Sequence, residues 1–167
     1  MIIRKRIATL ICSSPLFSLL LLLCFLLWSS TCFVSYRRVV GDSMTPTFTT
    51  GSILVCTRSA DPESLRYGDC VVAEIPSSGE TLTVTKRIAG LPGDRIQIRD
   101  GILYRNGKAA PDGFPIMEDA GAAEAAILLA PEEYFLLGDN RNHSRDSREF
   151  GPVAACYITN RVLFHFF

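Results

Sequence analysis

Ser43, in Gly41-Asp42-Ser43-Met44-Thr45-Pro46-Thr47, and Lys86, in Thr85-Lys86-Arg87-Ile88, form a nucleophile and a base if the fold brings them together. A serine hydroxyl attacks a carbonyl carbon only when a neighbouring group takes its proton, and a lysine can take it only while neutral. At its usual pKa of about 10.4, roughly 0.04% of a lysine is neutral at pH 7, whereas a pKa about three lower makes roughly a quarter of it neutral. Such a shift costs the fold about 4 kcal/mol and is supplied by desolvation. The stretch Thr81-Leu82-Thr83-Val84-Thr85-Lys86-Arg87-Ile88 alternates, so a strand would place Lys86 on one face with Leu82, Val84 and Ile88, with Leu136 as a further apolar neighbour. A lysine on an apolar strand face is uncommon. Its bland alternative is a buried stem with a hydrated ammonium, and the bland alternative for Ser43 is a turn or capping residue.

The elements that must position this pair read as mostly β. Ser52-Ile53-Leu54-Val55-Cys56 and Cys70-Val71-Val72-Ala73-Glu74-Ile75 are β-rich runs bounded by Gly51, Gly68-Asp69 and Pro76. Asp100-Gly101 and Asn106-Gly107 punctuate Arg95-Ile96-Gln97-Ile98-Arg99 and Ile102-Leu103-Tyr104-Arg105 as tight hairpins. Residues 111–131, rich in Ala, Gly and acidic residues, read as a surface excursion, weakly helical at 122–129. Tyr134-Phe135-Leu136-Leu137 and residues 157–167 supply the last strands.

At 167 residues the chain has room for one small core. Its formal net charge is zero and its basic runs stop at Arg4-Lys5-Arg6 and Arg37-Arg38, so the electrostatic footprint of a nucleic-acid partner is missing. No charge falls between Arg6 and Arg37, and a helix of roughly 30 residues at about 1.5 Å each exceeds a hydrocarbon core of about 30 Å. The expected layout is a cytoplasmic N-terminus at 1–6, a single membrane anchor at 7–36 in contact with the lipid bilayer, and an outer domain at 37–167. A cleaved secretory signal is the alternative, but the apolar stretch is long and Ser29-Ser30-Thr31 is a poor cleavage site. Cys56, Cys70 and Cys156 lack metal-ligand spacing and read as small core residues, with one disulfide among them permitted in an oxidising compartment.

Four stretches then carry a resemblance. They are Gly41 to Thr47 as spelled above, Tyr67-Gly68-Asp69-Cys70-Val71-Val72, Lys86-Arg87-Ile88-Ala89-Gly90-Leu91-Pro92-Gly93-Asp94, and Gly138-Asp139-Asn140-Arg141-Asn142-His143-Ser144-Arg145-Asp146-Ser147-Arg148. In this order, beside an apolar N-terminal segment, the chain resembles bacterial type I signal peptidases, which share the Ser/Lys peptidase family with mitochondrial inner-membrane peptidases. The resemblance implies a small, mostly β catalytic domain behind one N-terminal transmembrane helix of the bacterial cytoplasmic membrane, with the domain on the outer face and the extra domain of larger relatives reduced to a hairpin and loop at 95–137. It implies hydrolysis after Ala-X-Ala-type signal peptides of exported preproteins, without a metal or cofactor.

Residue by residue, Ser43 is the expected nucleophile, its backbone N–H an oxyanion donor, and Lys86 the general base. Ser144 is the expected orienter of the lysine. Asp139, Arg87, Asp146 and Arg148 are expected as a structural ion-pair framework. Val39, Val40, Gly41, Asp42, Met44, Val84 and Thr85 are expected to hold an extended substrate strand. Some relatives place a serine two residues before the nucleophile as a second oxyanion donor; Gly41 stands there here. The rivals are a dedicated pilin or conjugation-system peptidase of the same family, an anchored β domain that only binds, and a self-cleaving Ser/Lys regulator. The small-X-small stretches Ala120-Gly121-Ala122 and Ala123-Glu124-Ala125 raise self-cleavage as a further expectation.

Overall fold

The computed structural model describes residues 15–77, 79–110 and 113–166, with the side chains of 27–33 excepted. The chain divides into two compact units, Met1–Ser35 and Tyr36–Phe167. In the first, helix α1 spans Pro15–Phe33 and carries no charged residue in its first or last turn. Leu16 and Leu19 through Leu23 on it are exposed. Among the described residues no helix is long and apolar enough to cross a membrane. The expected 7–36 segment also ends differently, since α1 stops at Phe33 and strand β1 (Val34–Arg38) begins. Arg37 fixes this strand by donating to Asn160 Oδ1 at 3.2 Å and pairing with Glu74 at 3.6 Å. Residues 7–14 lie outside the described residues.

The second unit is built from β2 (Ile53–Thr57), β3 (Cys70–Ser77), β4 (Glu80–Gly90), β5 (Arg95–Arg99), β6 (Ile102–Arg105), β7 (Lys108–Ala109), β8 (Ile127–Leu128), β9 (Glu133–Leu137), β10 (Val153–Ala154) and β11 (Ile158–Phe166), with the short helix α2 (Ser147–Phe150). A seven-stranded sheet runs β1-β2-β11-β3-β4-β9-β10 and a four-stranded sheet runs β7-β6-β5-β8. Both expected tight turns form. Asp100-Gly101 and Asn106-Gly107 each take positive φ at both residues, and they join β5 to β6 and β6 to β7 antiparallel.

Strand β9 is the wall between two cores. Tyr134 and Leu136 pack with Leu65, Val71, Ala73, Ile88 and Val153, while Phe135 and Leu137 pack with Ile96, Ile98, Leu103 and Leu129. Its apolar run is unbroken because both faces are covered.

The helical turn expected at 122–129 is replaced by a 3-10 turn at Gly121–Glu124 and by β8, which pairs Ile127 with Ile96 and Leu128 with Arg95. The small residues here have a packing reason: Ala123 is fully buried, and a Cβ on Gly121, whose φ is +52°, would run into the carbonyl oxygen of Arg148. A tight turn of this kind does not offer the extended strand that self-cleavage would need.

Candidate active site

Strand β4 delivers Lys86. Its pairing with β3 sets Lys86 opposite Val71 and Ile88 opposite Asp69, and its alternation turns Leu82, Val84, Lys86 and Ile88 inward while Thr81 and Thr83 stay exposed. Val84, Ile88 and Leu136 belong to one apolar cluster, and Lys86 itself is 3% exposed. Burial pushes its pKa down to about 8; Asp146 and then Asp139 resist the fall, and Arg148 adds to it.

Ser43 sits in a turn closed by Thr45 N donating to Asp42 O (3.1 Å) and Phe48 N donating to Met44 O (2.9 Å). Met44 and Phe48 pin the turn by burial among Val39, Leu54, Cys70 and Val72. Asn140 holds it from the other side, its N–H donating to Ser43 O at 3.0 Å and its Nδ2 to Asp42 O at 3.1 Å. The outcome is a hydrogen bond of 2.6 Å between Lys86 Nζ and Ser43 Oγ. A hydroxyl in reach of a desolvated amine can surrender its proton and attack a carbonyl.

Two forked ion pairs frame the pair. Arg87 Nε and Nη2 donate to Asp139 at 2.7 and 2.6 Å, and Thr47 Oγ1 donates to the same carboxylate at 2.5 Å. Arg148 Nε and Nη2 donate to Asp146, both at 2.9 Å, and the Asp146 carboxylate also accepts from Gly138 N at 3.0 Å. Both carboxylates are fully buried. Asp146 additionally caps α2 by accepting from Arg148 N.

The expected bond between Ser144 and the lysine is absent. Among the described residues Ser144 Oγ is buried with no hydrogen-bond partner; it lies against Gly138, and Lys86 Nζ donates to Ser43 Oγ. A Cβ at Gly138 would collide with Ser144 Oγ and lie 2.6 Å from Ser43 O, so only glycine lets these backbones approach. Cys56, Cys70 and Cys156 are free thiols: the first two are buried, as expected of small core residues, whereas Cys156 is exposed, and the disulfide that the sequence permitted is not formed. Cys56 and Cys70 lie on β2 and β3, which β11 separates, so their backbones are too far apart to bridge. Desolvation pushes the Cys70 thiol up to about 12, which keeps it unreactive.

A groove of about 770 Å³ runs beside the pair, walled on one side by residues 36–44 and on the other by 82–86, with His143 and Arg145 at its edge. Val39, Val40, Gly41, Asp42, Met44, Val84 and Thr85 all line it. They differ in what they expose: Val40 stands out at 87%, whereas Met44 at 1% is chiefly an anchor. The Asp42 carboxylate accepts from Thr50 Oγ1 at 3.1 Å, which ties it to the turn. Thr47 and Asn140 are site residues the sequence reading missed. Both lie inside the motifs; Asn140 adjoins Asp139 in the sequence and could have been flagged by it, whereas the contact of Thr47 with Asp139 is a tertiary one with no local signal.

In this geometry a serine hydroxyl is hydrogen-bonded by an amine, and among the described residues no hydrogen bond joins it to an imidazole. Residues 13–167 match the family described as signal peptidase, peptidase S26, and the chain belongs to that family of serine peptidases. Among its relatives, the probable signal peptidase I-1 of Synechocystis sp. is 32% identical over 138 residues, covering 78% of this chain and 70% of that one. Signal peptidase I of Bacillus caldolyticus is 34% identical over 146 residues, covering 77% and 76%. A solved signal peptidase I from Enterococcus faecalis aligns with a TM-score of 0.48 at 28% identity, over 60% of this chain and 97% of that chain.

Proposed function

We propose that this chain is a membrane-anchored signal peptidase I that hydrolyses exported preproteins after Ala-X-Ala-type signal peptides, with Ser43 as nucleophile and Lys86 as general base. The observation that carries the reading is the 2.6 Å bond between Ser43 Oγ and a lysine that is 3% exposed, at the wall of an open groove. Neutral Lys86 accepts the Oγ proton as Oγ adds to the scissile carbonyl carbon. The oxyanion is met by Ser43 N–H, which has no partner among the described residues. Collapse breaks the C–N bond, the Lys86 ammonium gives its proton to the leaving amine, and an acyl-serine remains. Water, deprotonated by Lys86, then adds to the acyl carbon; collapse breaks the C–Oγ bond, the Lys86 ammonium returns its proton to Ser43 Oγ, and the signal peptide leaves as its carboxylic acid, which ionises in water.

The substrate enters as an added strand. β4 pairs with β3 along 80–87, but β9 reaches it only from Arg87 onward, so among the described residues the second edge of 82–86 is open toward the groove. Residues 39–41 lie across from that edge and complete the cradle. The uncharged segment that ends with α1 at Phe33 is the single-pass anchor, the chain from β1 onward the catalytic domain outside the cytoplasmic membrane, and 95–137 the reduced extra domain.

The test is the pH dependence of kcat/KM on a preprotein, with the cleavage site read by mass spectrometry. Because burial lowers the lysine pKa to about 8, the neutral fraction grows with pH; kcat/KM should climb about tenfold per unit below that value and level off above it. A flat profile with chemistry rate-limiting overturns the base. A companion measurement separates the imidazole alternative. Ser43 Oγ is bonded to Lys86, and among the described residues no hydrogen bond joins it to His143, which lines the groove. A general base contributes about 10²–10⁴, so His143→Ala should hold kcat within about tenfold and act mainly on KM. Loss of kcat as complete as for Ser43→Ala would transfer the base role to His143.

A further inference from the structure

The excursion between β7 and β8 is stitched to the segment that carries the ion pairs. Asn142 Oδ1 accepts from Glu118 N at 3.1 Å, and Asn142 Nδ2 donates to Ile116 O at 3.2 Å. Arg148 Nη1 donates to Asp119 O at 3.1 Å. At the head of this loop, half-buried Phe114 presents its ring to two guanidinium groups, with Arg87 at 5.2 Å and Arg141 at 4.8 Å from its centroid. Both distances are within the range over which a ring quadrupole attracts a cation. Arg87 is also the half of the Arg87–Asp139 pair that reaches solvent, its side chain 21% exposed against 0% for Asp139.

We infer that Phe114 is a positioning residue of the active site: it clamps Arg87 flat on Asp139 and thereby controls the charge that Lys86 experiences. The inference rests on the reading of Lys86 as base. The charged groups facing Lys86 are Asp146, Asp139 and Arg148, all from the 138–148 segment; Ser43 faces it from the nucleophile turn, and Arg87 follows it on β4. Asp139 favours the protonated amine, and the Arg87 fork, whose Nη1 also donates to Gly68 O at 2.6 Å, neutralises that carboxylate while it stays closed on it. Without the aromatic face the guanidinium is drawn toward water, Asp139 is less neutralised, and the amine holds its proton to higher pH. Phe114 touches neither substrate nor nucleophile in this scheme.

The experiment compares wild type, Phe114→Leu and Phe114→Tyr on one preprotein across the pH profile, with Lys86→Ala alongside. Phe114→Leu keeps apolar bulk but no π face. Its kcat/KM midpoint should move alkaline by about half a pH unit, with a roughly threefold loss at pH 7 that closes above the midpoint and leaves KM unchanged. Phe114→Tyr keeps the ring and should recover most of the wild-type profile. Phe114→Met carries the same test if Phe114→Leu folds poorly by thermal melt. A loss equal at every pH, or a midpoint unmoved in Phe114→Leu, overturns the clamp while inactive Lys86→Ala leaves the base standing. Turnover by Lys86→Ala overturns the base itself.

Discussion

Lys86→Met is expected to abolish turnover and to raise the melting temperature of the same protein. Lys86→Ala and Ser43→Ala should be equally inactive, down by about 10⁴-fold or more, because nucleophile and base act as one unit. The gain in stability follows from linkage. The folded pKa is about 8 against an ordinary 10.5, so between these values the unfolded chain holds more protons than the folded one, and stability rises with pH through that window. Below about 8 the full penalty is present, on the order of 3 kcal/mol, and methionine, with similar reach and no charge, removes most of it. Neither buried carboxylate is left stranded, since Asp139 keeps Arg87 and Asp146 keeps Arg148. At about pH 6.5, thermal unfolding of the detergent-solubilised full chain should show Lys86→Met melting roughly 5 °C above wild type, the gap closing toward about pH 10. A variant that melts below wild type at neutral pH would contradict a desolvated lysine.

What the sequence discloses here depends on range. The alternation of 81–88 is a local property of one strand, so it reveals Lys86 on an apolar face before any partner is known, and the two Asx-Gly turns announce their own positive φ. The strand run of 134–137 was legible as well, though its burial on both faces needed the second core to be seen. The excursion was not legible. Its alanines carry helix propensity, but Gly121 against the Arg148 backbone and the pairing of β8 with β5 override it, and both are tertiary facts. The same holds for Phe114, whose two arginines lie 27 residues away on either side of it in the chain. Helix α2 was within reach: Asp146-Ser147-Arg148-Glu149 has an N-cap acid and a glutamate three residues on, a pattern hidden inside a stretch read for its charges. Ser144 went the other way. Its family resemblance implied a bond to the lysine, whereas its hydroxyl lies against Gly138 and has no partner among the described residues.

Asp146→Ala should be the most damaging substitution outside the Ser43–Lys86 pair, and damaging to the fold before the chemistry. Its carboxylate, fully buried, accepts from Gly138 N, Arg148 N, Arg148 Nε and Arg148 Nη2. Alanine leaves a buried guanidinium uncompensated and a backbone donor unsatisfied, a cost of about 3–5 kcal/mol, and removes a helix cap worth about 1 kcal/mol. Arg148 still reaches the carbonyls of Asp119 and Arg141, which holds it in place without neutralising it. Adding Arg148→Met to Asp146→Ala should therefore recover about 1–3 kcal/mol, a coupling that denaturant unfolding of the two single variants and the double variant measures directly. Catalysis in the molecules that stay folded should shift in a defined direction. Asp146 resists the lowering of the Lys86 pKa more than any other group, so its loss frees the amine at lower pH and moves the kcat/KM midpoint below about 8. Unfolding free energy within about 1 kcal/mol of wild type would show that the pair does not hold the site together, and an alkaline movement of the midpoint would place Asp146 on the wrong side of the lysine's electrostatics.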